Sequence, residues 1–334
     1  MRVLLTVLVV LHHIAVTYSG IGLWYYTEEP TSGAVELGLT VFLLVNQAWF
    51  MGAFFLLSGY FTPASYDRKG PRAFLRDRLI RLGIPLLVFY FVFNPILAHT
   101  IGSGPLWFVF ALLVFDGSYA VLRQLSLNRR LRPAKPLTYR KVFGFVLALA
   151  LATYLLRIVV PMGTWVPVID FPTSTYLPQY VSFFVVGVVA YRRDWLAGIT
   201  TRMGRVGLGL AIGATVVFLP LALGVGSDWA GHGTLASLFY ALWDSSFAVG
   251  LVLALVALFR RRFNTSGPVR RYLSGQAFTV YVIHAMVVTA AGHALSSLDV
   301  PTMVKFTIAA VVVLPVCFLL AGLVRRLPGV RRVL

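Results

Sequence analysis

The sequence predicts an all-α membrane protein, a polytopic bundle of about ten transmembrane helices with both termini in the cytoplasm. Three observations carry this prediction: the composition, the recurrence of long apolar runs and the position of the basic residues. Hydrophobic residues make up 59% of the 334 residues and charged residues only 12%. A soluble domain is about a quarter charged, because its surface faces water. A soluble fold is therefore excluded.

Ten apolar runs recur along the chain, most of them close to the roughly 20 residues that a helix needs to cross the hydrocarbon core. The runs are Val3–Gly20, Leu37–Phe61, Ile84–Ala98, Pro105–Leu122, Val142–Val160, Thr175–Tyr191, Val206–Val225, Thr234–Phe259, Gln276–Leu295 and Pro301–Val324. The first run leads into His12-His13 instead of a small-residue cleavage site, so we interpret it as a helix and not as a signal peptide. We expect residues 1–334 to form a single transmembrane domain with no appended soluble domain.

Nearly all of the 29 lysine and arginine residues lie at the start or in alternate connections between the runs. These residues are Arg2; Arg68, Lys69, Arg72, Arg76, Arg78 and Arg81; Arg123, Arg129, Arg130, Arg132, Lys135, Arg140 and Lys141; Arg192, Arg193, Arg202 and Arg205; Arg260, Arg261, Arg262, Arg270 and Arg271; and Arg325, Arg326, Arg331 and Arg332. The other connections carry acids such as Glu28, Glu29, Asp170, Asp228 and Asp299. Because positive charge resists crossing the membrane during insertion, the basic side is predicted to be cytoplasmic.

Membrane orientation also accounts for the net charge of +18. Nucleic-acid binding is not indicated, because the sequence has no basic face with interspersed aromatic residues and no recognition helix. The expected location is a cell membrane, plasma or inner, which the chain crosses many times. The lone cysteine, Cys317, lies inside an apolar run and is expected to be a small core residue. No metal site is expected.

Several ionisable side chains lie within the apolar runs, where each costs about a few kcal/mol. They are His13, Arg157, Asp244, His284 and, near an outer end, Lys305. Each has a structural interpretation beside a functional one. A histidine can be hydrogen-bonded to a neighbouring helix, and Asp244 can form an ion pair with Arg157 or Lys305. A channel or a scaffold needs few such groups.

Arg2 and His13 are eleven residues apart, which returns an α-helix to within about 20° of the same face after a rise of about 16 Å. Arg2 is thus predicted to lie at the cytoplasmic rim, with His13 above it inside the bundle. The functional interpretation is that His13 is a general base, reached from the cytoplasm by a long substrate with an anionic head.

Two further groups of polar residues are candidates for binding. Arg78 and Arg81 are three residues apart, so on an α-helix they share one face and two guanidinium groups can hold one phosphate. The alternative is that both are ordinary positive charges of a cytoplasmic loop. The second group is expected to contact substrate, partly from the lining of an outer cavity: Asn46, Gln47, Trp49, Arg157, Gln179 and His284.

Taken together, these stretches resemble the membrane-bound acyltransferase-3 family, whose relatives include glucan-succinylating and O-antigen-acetylating proteins. The resemblance spans nearly the whole chain and is carried by four features. They are Arg2-x10-His13 within Leu8-Val9-Val10-Leu11-His12-His13, the run Phe55-Leu56-Leu57-Ser58-Gly59-Tyr60-Phe61, the pair Arg78-x-x-Arg81, and Tyr281-Val282-Ile283-His284. Relatives generally carry a short segment with an acidic residue before the motif arginine, whereas one residue precedes Arg2 here.

The resemblance implies transfer of an acyl group, acetyl or succinyl, from cytoplasmic acyl-coenzyme A to a hydroxyl, usually of a sugar, at the outer face. It implies that His13 is the catalytic residue and that Arg78 and Arg81 bind acyl-CoA, with Arg2 beside them. Asp244, or another buried acid, is expected to set the tautomer of His13. Two other functions stay open at this point: a sugar or lipid transporter or exporter, and a membrane scaffold without catalysis.

Overall fold

The structure is a computed structural model that describes residues 1–125, 136–166, 171–226, 228–263 and 267–334. Within these residues eight helices are long and apolar enough to cross a membrane. Apolar side chains cover their outer surfaces: Val216 and Val311, for example, are 69% and 68% exposed. The predicted all-α polytopic membrane bundle is confirmed. Arg129, Arg130, Arg132, Lys135 and Asp170, which the topology prediction used, lie outside the described residues.

Each predicted run corresponds to at least one helix. In chain order the helices are α1 (Arg2–Thr17), α2 (Gly33–Gln47), α3 (Phe50–Lys69), α4 (Pro71–Arg78), α5 (Ile84–Val88), α6 (Asn94–Ala98), α7 (Trp107–Leu125), α8 (Tyr139–Val159), α9 (Leu177–Arg192), α10 (Trp195–Gly198), α11 (Thr201–Gly224), α12 (Leu235–Arg262), α13 (Pro268–Leu295), α14 (Thr302–Val324) and α15 (Val330–Val333). Because α1 and α9 have only 16 residues each, the total of ten spans stays a prediction, as does the cytoplasmic position of both termini.

The prediction of a basic loop after the second apolar run is wrong. α3 continues to Lys69, and after Gly70, whose φ is +74°, the helix resumes at Pro71. It then runs through two π-helical turns, Leu79–Gly83 and Phe89–Phe93, as far as Ala98. Hydropathy marks only the apolar part of a helix, whereas arginine and lysine are themselves good helix formers and extend it.

The chain forms two compact units that alternate along the sequence. The first unit comprises Met1, Ala48–Arg78 and Ala111–Thr265; the second comprises Arg2–Gln47, Leu79–Phe110 and Ser266–Leu334. The expectation of one domain over residues 1–334 stays a prediction.

In the first unit, glycines allow helices to approach closely. A Cβ at Gly187 of α9 would overlap the carbonyl oxygen of Leu56 in α3, and a Cβ at Gly59 would overlap the carbonyl oxygen of Phe184. Gly207 of α11 and Gly250 of α12 approach each other in the same way. In a membrane, where apolar burial does not drive helices together, such close backbone packing supplies much of the association.

Replacing Gly187 with alanine is therefore expected to destabilise the protein by about 1–3 kcal/mol, because the added methyl group meets backbone that cannot rotate away. Gly209 is the matched control, since it lies inside α11 with open space around its Cα. Gly209→Ala is expected to stabilise the protein by up to about 1 kcal/mol through helix propensity alone. Thermal unfolding of both variants in the same detergent tests this, and equal shifts would contradict the close approach.

In the second unit, α1 packs on α13, α14 and α2 around a buried apolar core. Val10 and Ile14 of α1 meet Val280 and Val288 of α13, and Cys317 of α14 is fully buried among them. Cys317 is thus the core residue that its sequence context predicts. This packing holds one face of α1 rigidly and so positions His13.

Candidate active site

His13 lies on a helix that is continuous from Arg2 onward, so the predicted register between these two residues is confirmed. Arg2 is exposed at the start of α1, and His13 is partly buried near its other end. The imidazole of His13 stacks on the indole of Trp24, with 3.9 Å between the ring centroids and 20° between the planes. His13 is therefore held by an aromatic side chain from the connection between α1 and α2.

His284 of α13 completes this cluster from the other side. It is fully buried, and its ring centroid lies 5.0 Å from that of His13. Its Nδ1 lies 2.6 Å from the carbonyl oxygen of Tyr281, three residues earlier. Because a carbonyl only accepts hydrogen bonds, Nδ1 carries a proton. Full burial disfavours the charged imidazolium, so His284 is a neutral imidazole that keeps a lone pair on Nε2.

Three polar ring atoms of this cluster are buried and have no hydrogen-bond partner among the residues that the structure describes: His13 Nδ1, Trp24 Nε1 and His284 Nε2. Buried polar atoms are nearly always paired, so an unpaired group needs an explanation. The cluster combines a donor, the indole N–H, with acceptor capacity on imidazole nitrogens. Such a set is suited to a substrate that carries both a hydroxyl and a carbonyl group.

The connection that carries Trp24 is anchored at several points within the second unit. Tyr25 Oη donates to Asn94 Oδ1 at 2.7 Å, and Lys305 Nζ forms a 2.5 Å ion pair with Glu28. Tyr26 Oη donates to the other oxygen of Glu28 at 3.2 Å. Burial, reinforced by the negative charge of Glu28, raises the pKa of Tyr26, so its phenol stays protonated and remains a donor at neutral pH.

The two arginines of the predicted phosphate site have different surroundings. Arg78 ends α4, and its Nε lies 2.9 Å from Oδ2 of the buried Asp116. Arg81 lies in the π-helical turn Leu79–Gly83 and is exposed. The regular α-helical spacing that we assumed for this pair is therefore wrong, because the helix changes its hydrogen-bond pattern between the two residues. Their binding of acyl-CoA stays a prediction.

Comparison with known proteins identifies the family of the chain. A sequence model of the acyltransferase 3 family, described as an acyltransferase domain, matches residues 1–322. The chain belongs to the acyltransferase 3 family. It is thus a membrane acyltransferase, with an acyl donor and an acyl acceptor, in a multi-pass membrane fold. Searches of curated proteins and of solved structures gave no match.

In this acyltransferase, Asp244 lies in the first unit and forms an ion pair with Arg157 at 2.5 Å. Both side chains are buried, and the guanidinium lies 5.1 Å and 5.0 Å from the ring centroids of Tyr176 and Tyr240. Arg157 Nε also donates to Thr175 Oγ1 at 3.2 Å. An ion pair between Asp244 and Arg157 was one of the structural interpretations of Asp244, and the structure confirms this contact. The catalytic role of Asp244 and the substrate contact of Arg157 stay predictions.

The remaining predicted contacts of the acyltransferase are spread over both units. In the second unit, Gln47 ends α2, and Asn46 lies buried with its Nδ2 3.2 Å from His12 Nδ1. In the first unit, Trp49 precedes α3, and Gln179 donates to the carbonyl oxygen of Ala48 at 2.7 Å. The hydrogen bond of Gln179 to backbone gives it a structural role, and substrate binding by these four residues stays a prediction.

Trp24 is the site residue that sequence analysis missed. It lies in a connection on the predicted outer side, within the aromatic run Trp24-Tyr25-Tyr26. Aromatic residues at a membrane interface are usually anchors in the headgroup region, so the run carries no specific signal of a site. The stacking on His13 depends on how this connection folds back over α1, which residue spacing along the chain does not determine.

Proposed function

We propose that this acyltransferase moves an acyl group, acetyl or succinyl, from cytoplasmic acyl-CoA to a hydroxyl of an extracytoplasmic carbohydrate or related acceptor. The observation that carries the proposal is the neutral imidazole cluster of His13 and His284, which lies on the same unit as Arg2. Glycans and glycolipids of the cell envelope are the acceptors that we favour, and the membrane is the plasma or inner membrane.

The length of α1 supports a route for the donor. The nucleotide end of CoA is polyanionic and cannot enter hydrocarbon, whereas the pantetheine arm is slim and uncharged. Arg2 lies about 16 Å below His13 along the helix axis, a height comparable to that arm. We infer that Arg2 and Arg81, which lie in the second unit together with His13, hold the phosphates at the cytoplasmic rim while the thioester reaches His13. Phosphate binding by Arg78, which belongs to the first unit, stays a prediction.

The chemistry follows from a neutral imidazole beside a hydroxyl and a thioester. His13 accepts the proton of the acceptor hydroxyl, and the oxygen forms a bond to the thioester carbonyl carbon. The tetrahedral intermediate then re-forms its carbonyl, the carbon–sulfur bond breaks, and the CoA sulfur takes the proton from His13. A covalent acyl-histidine intermediate is the alternative course.

The decisive experiment uses the full chain, purified and reconstituted in lipid nanodiscs. We expect it to bind acetyl-CoA and to release free CoA thiol when a hydroxyl acceptor is present, with the acyl group recovered on that acceptor. Acyl-group analysis of cell-surface glycans, with and without the protein, identifies the acceptor class. If the protein has no affinity for CoA, acyl-CoA is not its donor and the proposal fails.

Arg81 allows a sharper test of donor binding than Arg78 does. Arg78→Ala would leave the Asp116 carboxylate buried without its cation, which perturbs the fold itself. Arg81→Ala is expected to weaken CoA binding about tenfold, since it removes a charge-assisted contact to phosphate, and to reduce the dependence of binding on salt. Arg326→Ala, an exposed arginine of the tail, is the control. Equal affinities of the two variants would remove Arg81 from the donor site.

A further inference from the structure

We propose that the indole N–H of Trp24 donates a hydrogen bond to the carbonyl oxygen of the acyl group and stabilises the negative charge that develops there during transfer. This inference rests on the proposed function and deepens it, because it assigns the residue that faces the oxyanion. It makes Trp24 a catalytic residue, although it belongs to a connection between helices and to no recognised motif.

The position of the indole supports this role. Its ring stacks on that of His13, with 3.9 Å between the centroids and 20° between the planes, so the indole lies directly beside the imidazole that reacts. Nε1 is buried and has no hydrogen-bond partner within the described part of the chain. A tryptophan N–H can only donate, and leaving such a donor buried without an acceptor is costly. A carbonyl oxygen of the substrate is the acceptor that satisfies it.

The other polar atoms of the cluster are suited to other tasks. Nε2 of His284 is an acceptor, because the proton of that ring is on Nδ1 and is donated to Tyr281. His13 must accept the proton of the attacking hydroxyl in order to act as the base. The indole N–H is therefore the group in this cluster whose sole hydrogen-bonding role is donation.

An oxyanion donor contributes most when its position is set before the reaction begins. Trp24 meets this condition, because Tyr25 and Glu28, which follow it in the connection, are anchored to helices. Tyr25 donates to the buried Asn94, and Glu28 pairs with the buried Lys305. Glu28 N also donates to the carbonyl oxygen of Thr17 at 2.8 Å, which ties the connection to the end of α1.

In the proposed step the hydroxyl oxygen of the acceptor attacks the thioester carbonyl carbon, and its proton passes to His13. The π electrons of the carbonyl move to oxygen, which accepts the Trp24 hydrogen bond as an oxyanion. When the carbonyl re-forms, the carbon–sulfur bond breaks and the thiolate takes the proton from His13. Trp24 exchanges no proton and forms no covalent bond.

The test distinguishes the contribution of the indole N–H from the contribution of the aromatic ring. Trp24→Phe keeps an aromatic ring against His13 and removes the donor, and benzothienylalanine at position 24 replaces the N–H by sulfur in a ring system of the same size. Both changes are expected to lower kcat by about 100-fold or more, as the loss of one oxyanion donor does in other enzymes. KM for acetyl-CoA should change little. Trp165→Phe, at an exposed tryptophan, is the control.

Thermal unfolding of each variant checks that it is folded, and the benzothienylalanine protein decides the question if Trp24→Phe is not. A kcat close to that of the unmodified protein in either folded variant would overturn the assignment of Trp24 alone. A rise in KM without loss of kcat would also overturn it, since the indole would then only help to bind the substrate. A wild-type protein that transfers no acyl group would instead refute the proposed function.

Discussion

Replacing His13 with alanine is expected to abolish acyl transfer while acetyl-CoA still binds with nearly unchanged affinity. The imidazole is the proposed base, and loss of a general base costs at least about a hundredfold in rate. CoA binding is expected to survive because its phosphates are held at Arg2, eleven residues away along α1. Thiol release and CoA binding, measured on one preparation in nanodiscs, test both halves of this prediction.

The control for His13 is His293→Ala, at an exposed histidine of α13 that packs against Tyr26. It is expected to retain transfer. His13→Gln serves as a second variant, because it keeps a polar side chain of similar size beside Trp24 and so limits any repacking. Undiminished turnover by both His13 variants would refute the catalytic assignment.

Replacing Asp244 with leucine is expected to destabilise the protein by about 3–5 kcal/mol, since it leaves the Arg157 charge buried without its partner. The Arg157 side chain has 0% exposure and its guanidinium packs against two tyrosine rings, so water cannot replace the carboxylate. The double variant Arg157→Met/Asp244→Leu removes both charges and is expected to recover most of the lost stability. The folded fraction after heating, measured by size exclusion, gives the comparison.

The control is the pair between Arg192 and Asp67, in which Asp67 is 41% exposed. Asp67→Asn is expected to cost less than about 1 kcal/mol, because water solvates the remaining charge. A single Asp244→Leu variant as stable as wild type would contradict the prediction. Transfer by the double variant then tests the role of the pair: retained activity identifies a structural ion pair, whereas a folded but inactive protein supports a functional role of Asp244 or of Arg157.

Much of the fold is predictable from local properties of the chain. The ten apolar runs correspond to helices because hydrocarbon leaves a spanning backbone no partners except its own carbonyl groups. The register of Arg2 and His13 follows for the same reason, since both lie on one continuous helix. Hydropathy did not predict the helical segment from Pro71 to Gly83, which precedes the run Ile84–Ala98 and has the composition of a loop but the structure of a helix.

The partners of the buried charges were not predictable to the same degree. For Asp244 the sequence left two cations open, and the structure selects Arg157, while Lys305 pairs with Glu28. The ion pair between Arg78 and Asp116 of α7 was not predicted, and phosphate binding by Arg78 stays a prediction. Each of these pairs joins residues far apart in the chain, and the spacing of residues in one sequence carries no information about such contacts.

Composition, hydropathy and helical periodicity alone establish a polytopic helical membrane protein with His13 and Arg2 on one face of its first helix. They suffice because the bilayer constrains every residue of a span in the same way, whatever its neighbours are. Tertiary packing decides that Trp24 stacks on His13, that His284 presents a lone pair on Nε2, and that Asp244 faces Arg157. These contacts depend on how a connection folds back and how helices rotate against each other, which are nonlocal outcomes of packing.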